Sequence, residues 1–142
     1  MLLKTLIKLF NRDLNKLKTE VQLYKNEANL WKTSKGVTNS AGNLCLHLVG
    51  NLNAFIGAAL GHTGYVRQRD LEFSLKNVPR VDLLNQVDAV MLTVNKTIAN
   101  LTVDDLCKEY PIDVFNEKND NRIFFSPSFY TSGVSSWTNK LP

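Results

Sequence analysis

The sequence predicts an all-α protein of the up-and-down bundle type, and three observations carry that expectation. Apolar residues recur every three or four positions through three long segments. No segment shows the every-second-residue alternation of a half-buried strand. Helix-capping residues precede the second long segment and a short one near Leu101. At 142 residues and 16.0 kDa the chain has one domain's worth of material, enough to bury a real core.

In the first segment Leu3, Ile7, Phe10, Leu14, Leu17, Val21, Tyr24 and Ala28 form one stripe. Lys8, Arg12, Lys16, Lys18 and Lys25 fall off that stripe and read as a solvated face. The helix is expected to stop between Trp31 and Gly36, where Ser34, Lys35 and Gly36 interrupt the pattern. The second helix should begin at Thr38-Asn39-Ser40, a cluster of N-cap residues, and run to Gly61. Its stripe is Ala41, Leu44, Leu48, Leu52, Phe55 and Ala59, and Cys45, Leu46, Val49 and Ile56 make most of its other positions apolar, so it should be central. Gly42, Gly50 and Gly57 weaken it as a helix and suggest close helix approach or room for a ligand.

The third helix is expected from about Val81, after Pro79, to Leu101, with Leu84, Val87, Met91, Val94, Ile98 and Leu101 inward. Thr102 then caps a short helix through Asp105 and Cys107, ended by Pro111. The charged connection GHTGYVRQRDLEFSLKNVP between the second and third helices is too long to be idle. Helical periodicity ends near Lys118. Residues 1–118 therefore read as the bundle, and 119–142 as an irregular tail unusually rich in Phe, Tyr and Trp. Without a fourth amphipathic segment, apolar side chains such as Leu48, Leu52, Leu84 and Met91 should stay open. They would favour a homodimer or poor solubility unless the tail covers them.

Lys and Arg number 17 against 13 acids, a net charge of +4 spread along helix faces, so no nucleic-acid surface is expected. Lys4 and Lys8 break the apolar opening MLLKTLIKLF, and no run is long enough to span a membrane, so neither a signal peptide nor a membrane anchor is expected. Cys45 and Cys107 are far apart and form no metal or redox motif, which suits a reducing, cytoplasmic setting.

The segments NSAGNLCLHLVGNLNAFIG (Asn39 to Gly57) and TGYVRQRDLEFS (Thr63 to Ser74) resemble signatures of the DinB-like superfamily, in a branch of small bacterial cytoplasmic proteins. FNRDLNKLKTEVQLYKNEANLWK and LTVDDLCKEYPIDVF fit the same branch, so the resemblance spans about the first 118 residues. It implies a four-helix bundle with a divalent metal, zinc or nickel, held by three histidines. One would come from the second helix and two from a His-x-x-x-His on the fourth. The implied activity is that of a small-molecule transferase or hydrolase, with thiol-dependent transferases and isomerases among the relatives.

Carried over residue by residue, His47 matches the second-helix ligand. The other two ligands have no match, because the chain holds only His47 and His62, and His62 lies in a Gly-His-Thr-Gly turn. Ala54 stands where many relatives are expected to carry a histidine. The fourth helix is expected to be missing because of a frameshift. Glu117-Lys118-Asn119 can be encoded GAA AAA AAT, an adenine run prone to gaining a base. Codons permitted for Asn119 to Pro142, read one base later, allow MTTEYFLVHLSTHLAYHLGQINYH, an amphipathic string with His-x-x-x-His. On that reading the chain lacks a complete metal site and is inactive.

Beside His47, the residues chosen as substrate-binding are Asn51, Tyr65, Arg67 and Arg69. The cluster Tyr65, Arg67, Arg69, Asp70 and Glu72 could bind an anionic group of a small-molecule substrate, or could be a salt-bridged loop pinning the crossover to the helices. Asn51, one turn after His47, could orient a ligand or hold a buried water, whereas Asn43 reads as structural. Cys45 and His47 point apart on a helix, so they do not form a nucleophile pair. The rival to an enzyme is a non-enzymatic helical module that dimerises through its groove.

Overall fold

The structure, a computed structural model, describes residues 1–112 of the chain. The expected boundary at Lys118 and the tail 119–142, with the frameshift reading attached to them, lie outside the described residues. Those described are mostly helical, with no strand among them. They form α1 (Leu2–Leu23), α2 (Ala41–Leu52), α3 (Arg69–Ser74), α4 (Arg80–Asn100) and α5 (Val103–Cys107). A 3-10 turn at Glu27–Trp31 precedes α2, and a π-helical segment, Asn53–Ala58, continues it.

Helix α1 ends earlier than its stripe suggests. Tyr24 turns extended, and Asn26 caps the 3-10 turn by accepting the Ala28 amide at 3.0 Å. Arg80 holds this corner from the start of α4, its amide donating to Glu27 and its guanidinium to the Tyr24 carbonyl. The turn drives Leu30 and Trp31 into the core, while Ala28, read as the end of the stripe, is exposed.

Helices α1 and α4 pack antiparallel over most of their length, as the cross-helix pairs Lys18–Asp88, Asn15–Met91 and Asn11–Asn95 show. Leu6, Phe10, Leu14, Leu17 and Val21 meet Leu83, Val87, Val90, Val94 and Ile98 in one core with Val49 and Leu52 of α2 and Ile56 of the π-helical segment. The buried line on α4 is thus rotated by about one position from the expected one. Leu84 and Met91 are half-buried at its border.

Helix α2 is central, as its composition suggests: no residue from Ser40 to Leu60 is exposed. The inward line of α2 and its π-helical continuation is Cys45, Leu46, Val49, Leu52 and Ile56, whereas Ala41, Leu44, Leu48, Phe55 and Ala59 are half-buried. Leu52, expected to be open, is only 5% exposed because it faces the core, and Leu48 packs against its edge. The glycines of α2 permit close approach. A Cβ on Gly42 would sit 2.8 Å from the Trp31 ring, and one on Gly57 would sit 3.0 Å from Thr93.

Thr102 caps α5 with a complete capping box, its hydroxyl accepting the Asp105 amide at 3.1 Å. Beyond α5, Tyr110 is buried, and its hydroxyl donates to the Phe55 carbonyl. There the hydrogen-bond ladder changes register at the end of the π-helical segment, since the Leu60 amide reaches Ile56 and not Phe55. No helix among the described residues is long and apolar enough to cross a membrane.

Candidate functional site

The polar corner of the molecule lies where α3 crosses α2. Ser40 caps α2 by accepting the Asn43 amide at 3.2 Å, and its hydroxyl donates to Asn43 Oδ1 at 2.6 Å. Asn43, fully buried, then donates Nδ2 to the carbonyls of Glu72 at 3.0 Å and Leu75 at 2.8 Å, the C-terminal turn of α3. Lys76 closes the set by donating to Asn43 Oδ1. One asparagine therefore fixes the backbone of α3 on α2.

That anchor places the Glu72 side chain against Gly50. A Cβ on Gly50 would lie 2.1 Å from Glu72 Oε1, so only glycine admits the carboxylate here. Arg67 grips it with two nitrogens, Nε to Oε1 at 2.8 Å and Nη2 to Oε2 at 3.0 Å. His47 Nδ1 stands 2.8 Å from Oε2. The Glu72 side chain is 7% exposed, Arg67 19% and His47 31%, so the carboxylate is sealed beneath an accessible imidazole. Burial, the largest influence on Glu72, raises its pKa. The hydrogen bonds and charges of Arg67 and His47 outweigh it and hold the group below its ordinary value. Phe73 lies against the imidazole at 4.9 Å between ring centres, and Arg67 lies 5.7 Å over the Phe55 ring.

Of the residues singled out from sequence, the structure brings together His47, Arg67 and Glu72. Both nitrogens of the Arg67 grip are committed to Glu72, which leaves its charge paired. Asn51 is half-buried one turn after His47 and makes no hydrogen bond to His47, Arg67 or Glu72. Tyr65 is exposed beyond the corner, and exposed Arg69 lies 5.4 Å over Phe73. Asp70 is exposed, and Ala54 lies in the π-helical segment. His62 is exposed in a left-handed turn at φ 52°. Cys45 is fully buried, and burial pushes its thiol up to about 12; Cys107 is exposed, and neither is in a disulfide.

The sequence reading passed over Gly50 as the socket for a carboxylate and Glu72 as the partner of His47. Gly50, three residues after His47 on the same helical face, was the available signal.

The described residues at this corner do not by themselves make a complete divalent centre. His47 Nε2 is one donor, whereas both Glu72 oxygens are taken by Arg67 and His47. Among the described residues no three His, Cys, Asp or Glu side chains are grouped to hold a metal ion. Fold and site together define an all-helical protein with a carboxylate-held imidazole on its central helix. No family model, curated protein or solved structure matches the chain.

Proposed function

We propose that this chain is built on the first three long helices of a DinB-like metal-dependent bundle, by ancestry a cytoplasmic small-molecule transferase or hydrolase, and that in this form it is inactive. His47 is the retained second-helix ligand for zinc or nickel. The observation that supports this reading most is the imidazole itself. It sits on a mostly apolar central helix, 31% exposed, with one nitrogen fixed by a buried carboxylate, the arrangement typical of metal-ligating histidines. A working site keeps three protein ligands and an open position, and one imidazole does not replace them.

The test is a pair of metal titrations. The present chain, dialysed against zinc or nickel, is expected to retain no stoichiometric ion. A gene with one base removed at the Glu117 to Asn119 codons, encoding the His-x-x-x-His string, is expected to yield one ion per chain, lost in His47→Ala. One tightly held ion on the present chain, or none on the frame-restored one, defeats the reading.

A second reading, a non-enzymatic module that dimerises, draws on exposed apolar side chains such as Leu23, Val81 and Leu92, each 60% or more exposed. Sedimentation equilibrium separates the two: a dimer dispersed by Leu92→Lys favours the module.

A further inference from the structure

We infer that Glu72, locked by Arg67 and admitted by Gly50, is a positioning residue that holds His47 in the Nδ1–H tautomer and leaves Nε2 as an unprotonated lone-pair donor. An ionised carboxylate only accepts hydrogen bonds, so the 2.8 Å contact between Nδ1 and Oε2 places a proton on Nδ1. Arg67 Nη2 stands 3.2 Å from Nδ1 as well as 3.0 Å from Oε2. The shorter contact, Nδ1 to Oε2, decides between the tautomers, because an unprotonated Nδ1 would set its lone pair against those of the carboxylate at 2.8 Å. An unrestrained neutral histidine prefers to carry its proton on Nε2. The corner therefore works against the intrinsic preference of the ring, and it does so with fixed parts. The carboxylate is gripped at both oxygens, its backbone carbonyl is held by Asn43 at 3.0 Å, and its socket exists only because residue 50 has no side chain.

A salt bridge serving only to pin the connection would need Arg67 and Glu72 and no imidazole. Sharing Oε2 with His47 adds the function of fixing which ring nitrogen is free. Nε2 has no partner among the described residues, and it suits a borderline divalent ion or a hydrogen-bond donor from a ligand. For what the imidazole takes, the inference rests on the proposed function; for the tautomer it does not.

Long-range proton–nitrogen NMR correlation of the ¹⁵N-labelled full chain decides it. The sample holds a chelator and is kept at alkaline pH, above the ordinary imidazole pKa of about 6.5. His62, exposed in its turn, is the internal reference. His47 is expected to show a protonated Nδ1 and an imine-type Nε2, and His62 the reverse. In Gly50→Ala the carboxylate is displaced and His47 should revert to the His62 pattern; in Arg67→Met it should become a mixture. A proton on Nε2 in the unaltered chain overturns the inference whether or not any variant folds. An unchanged tautomer in both folded variants overturns the assignment of Glu72 as its cause. Neither result touches the metal titrations above, so the two readings fail separately.

Discussion

The α1–α4 seam and the α2–α3 corner solve opposite problems in one small molecule. The buried face of the seam is apolar over most of its length, with Leu14, Val21, Leu83, Val87, Val90 and Val94 at 1% exposure or less. Its attraction is non-directional and additive, so it sets how firmly the helices hold and tolerates substitution of similar volume. The corner contains a buried carboxylate, a guanidinium, an imidazole and a glycine socket. Taking charges out of water costs about as much as their pairing returns, so such a cluster adds little net stability. What it does secure is geometry, because every oxygen of Glu72 has an assigned donor.

The sharpest way to break that contrast is to damage the seam. Leu83→Ala removes a fully buried side chain and should cost about 2–5 kcal/mol in urea unfolding. The His47 tautomer should survive in the folded fraction. Loss of the tautomer as well would mean that seam and corner are one cooperative unit.

Gly50→Ala works from the other side. In an ordinary helix the change gains about 1 kcal/mol. Here it drives the Glu72 carboxylate from its partners, and a buried charged group left unpaired costs roughly 1–3 kcal/mol or more. Net destabilisation is expected, with a lower urea midpoint. A more stable variant would show that the socket is not needed. Tyr110→Phe should cost about 0.5–1.5 kcal/mol by withdrawing the donor from the Phe55 carbonyl, and hydrogen exchange should quicken near the π-helical segment first.

Acid sharpens the comparison further, because the buried face of the seam carries no titrating group, its Lys18–Asp88 pair lying at the border, while the corner holds a buried one. A carboxyl held below its ordinary 4.5 in the folded state stabilises the protein above that value, and the stabilisation disappears as pH falls through the folded value. The stability gap between the unaltered chain and Glu72→Gln should therefore be widest near neutrality and close on acidification below 4.5. A gap independent of pH would mean that Glu72 is not the group responsible.

The two regions also differ in how far the sequence disclosed them. Three long helices were legible because periodicity is local, and the caps at Ser40 and Thr102 were legible because a cap bonds within its own turn. The rotation of the buried line on α4, from Leu84 and Met91 to Leu83 and Val90, was not. Both sets have helical spacing, and only the positions of α1 and α2 choose between them. His47 and Arg67 were both singled out, but their meeting through Glu72 was not. Glu72 reads as one of several charges that could bind an anion or pin the crossover, and only tertiary structure supplies His47 as its partner and an empty Cβ position 22 residues upstream. The π-helical segment leaves no local signal either, since its widened turn is stabilised from Tyr110.

The smallest expected effect lies within the seam itself, where it stops being apolar. Asn95 Nδ2 donates to Asn11 Oδ1 at 2.8 Å between α4 and α1, while Asn95 Oδ1 is buried with no hydrogen-bond partner among the described residues. A half-satisfied amide contributes little, because one good bond is offset by one stranded acceptor. Replacing both asparagines by leucine should therefore change stability by less than about 1 kcal/mol, in either direction. The cost should appear in specificity instead, since an all-apolar seam accepts sliding by a helical turn more readily than one with a polar pair at a single level. Cross-linking cysteines placed at Asn15 and Met91, in contact across the seam, reads this directly. One cross-link register in the parent and several in the double leucine variant are expected. A strongly destabilised double variant would show that the amide pair holds the helices together as well as aligning them, and the division of labour between seam and corner would then be wrong.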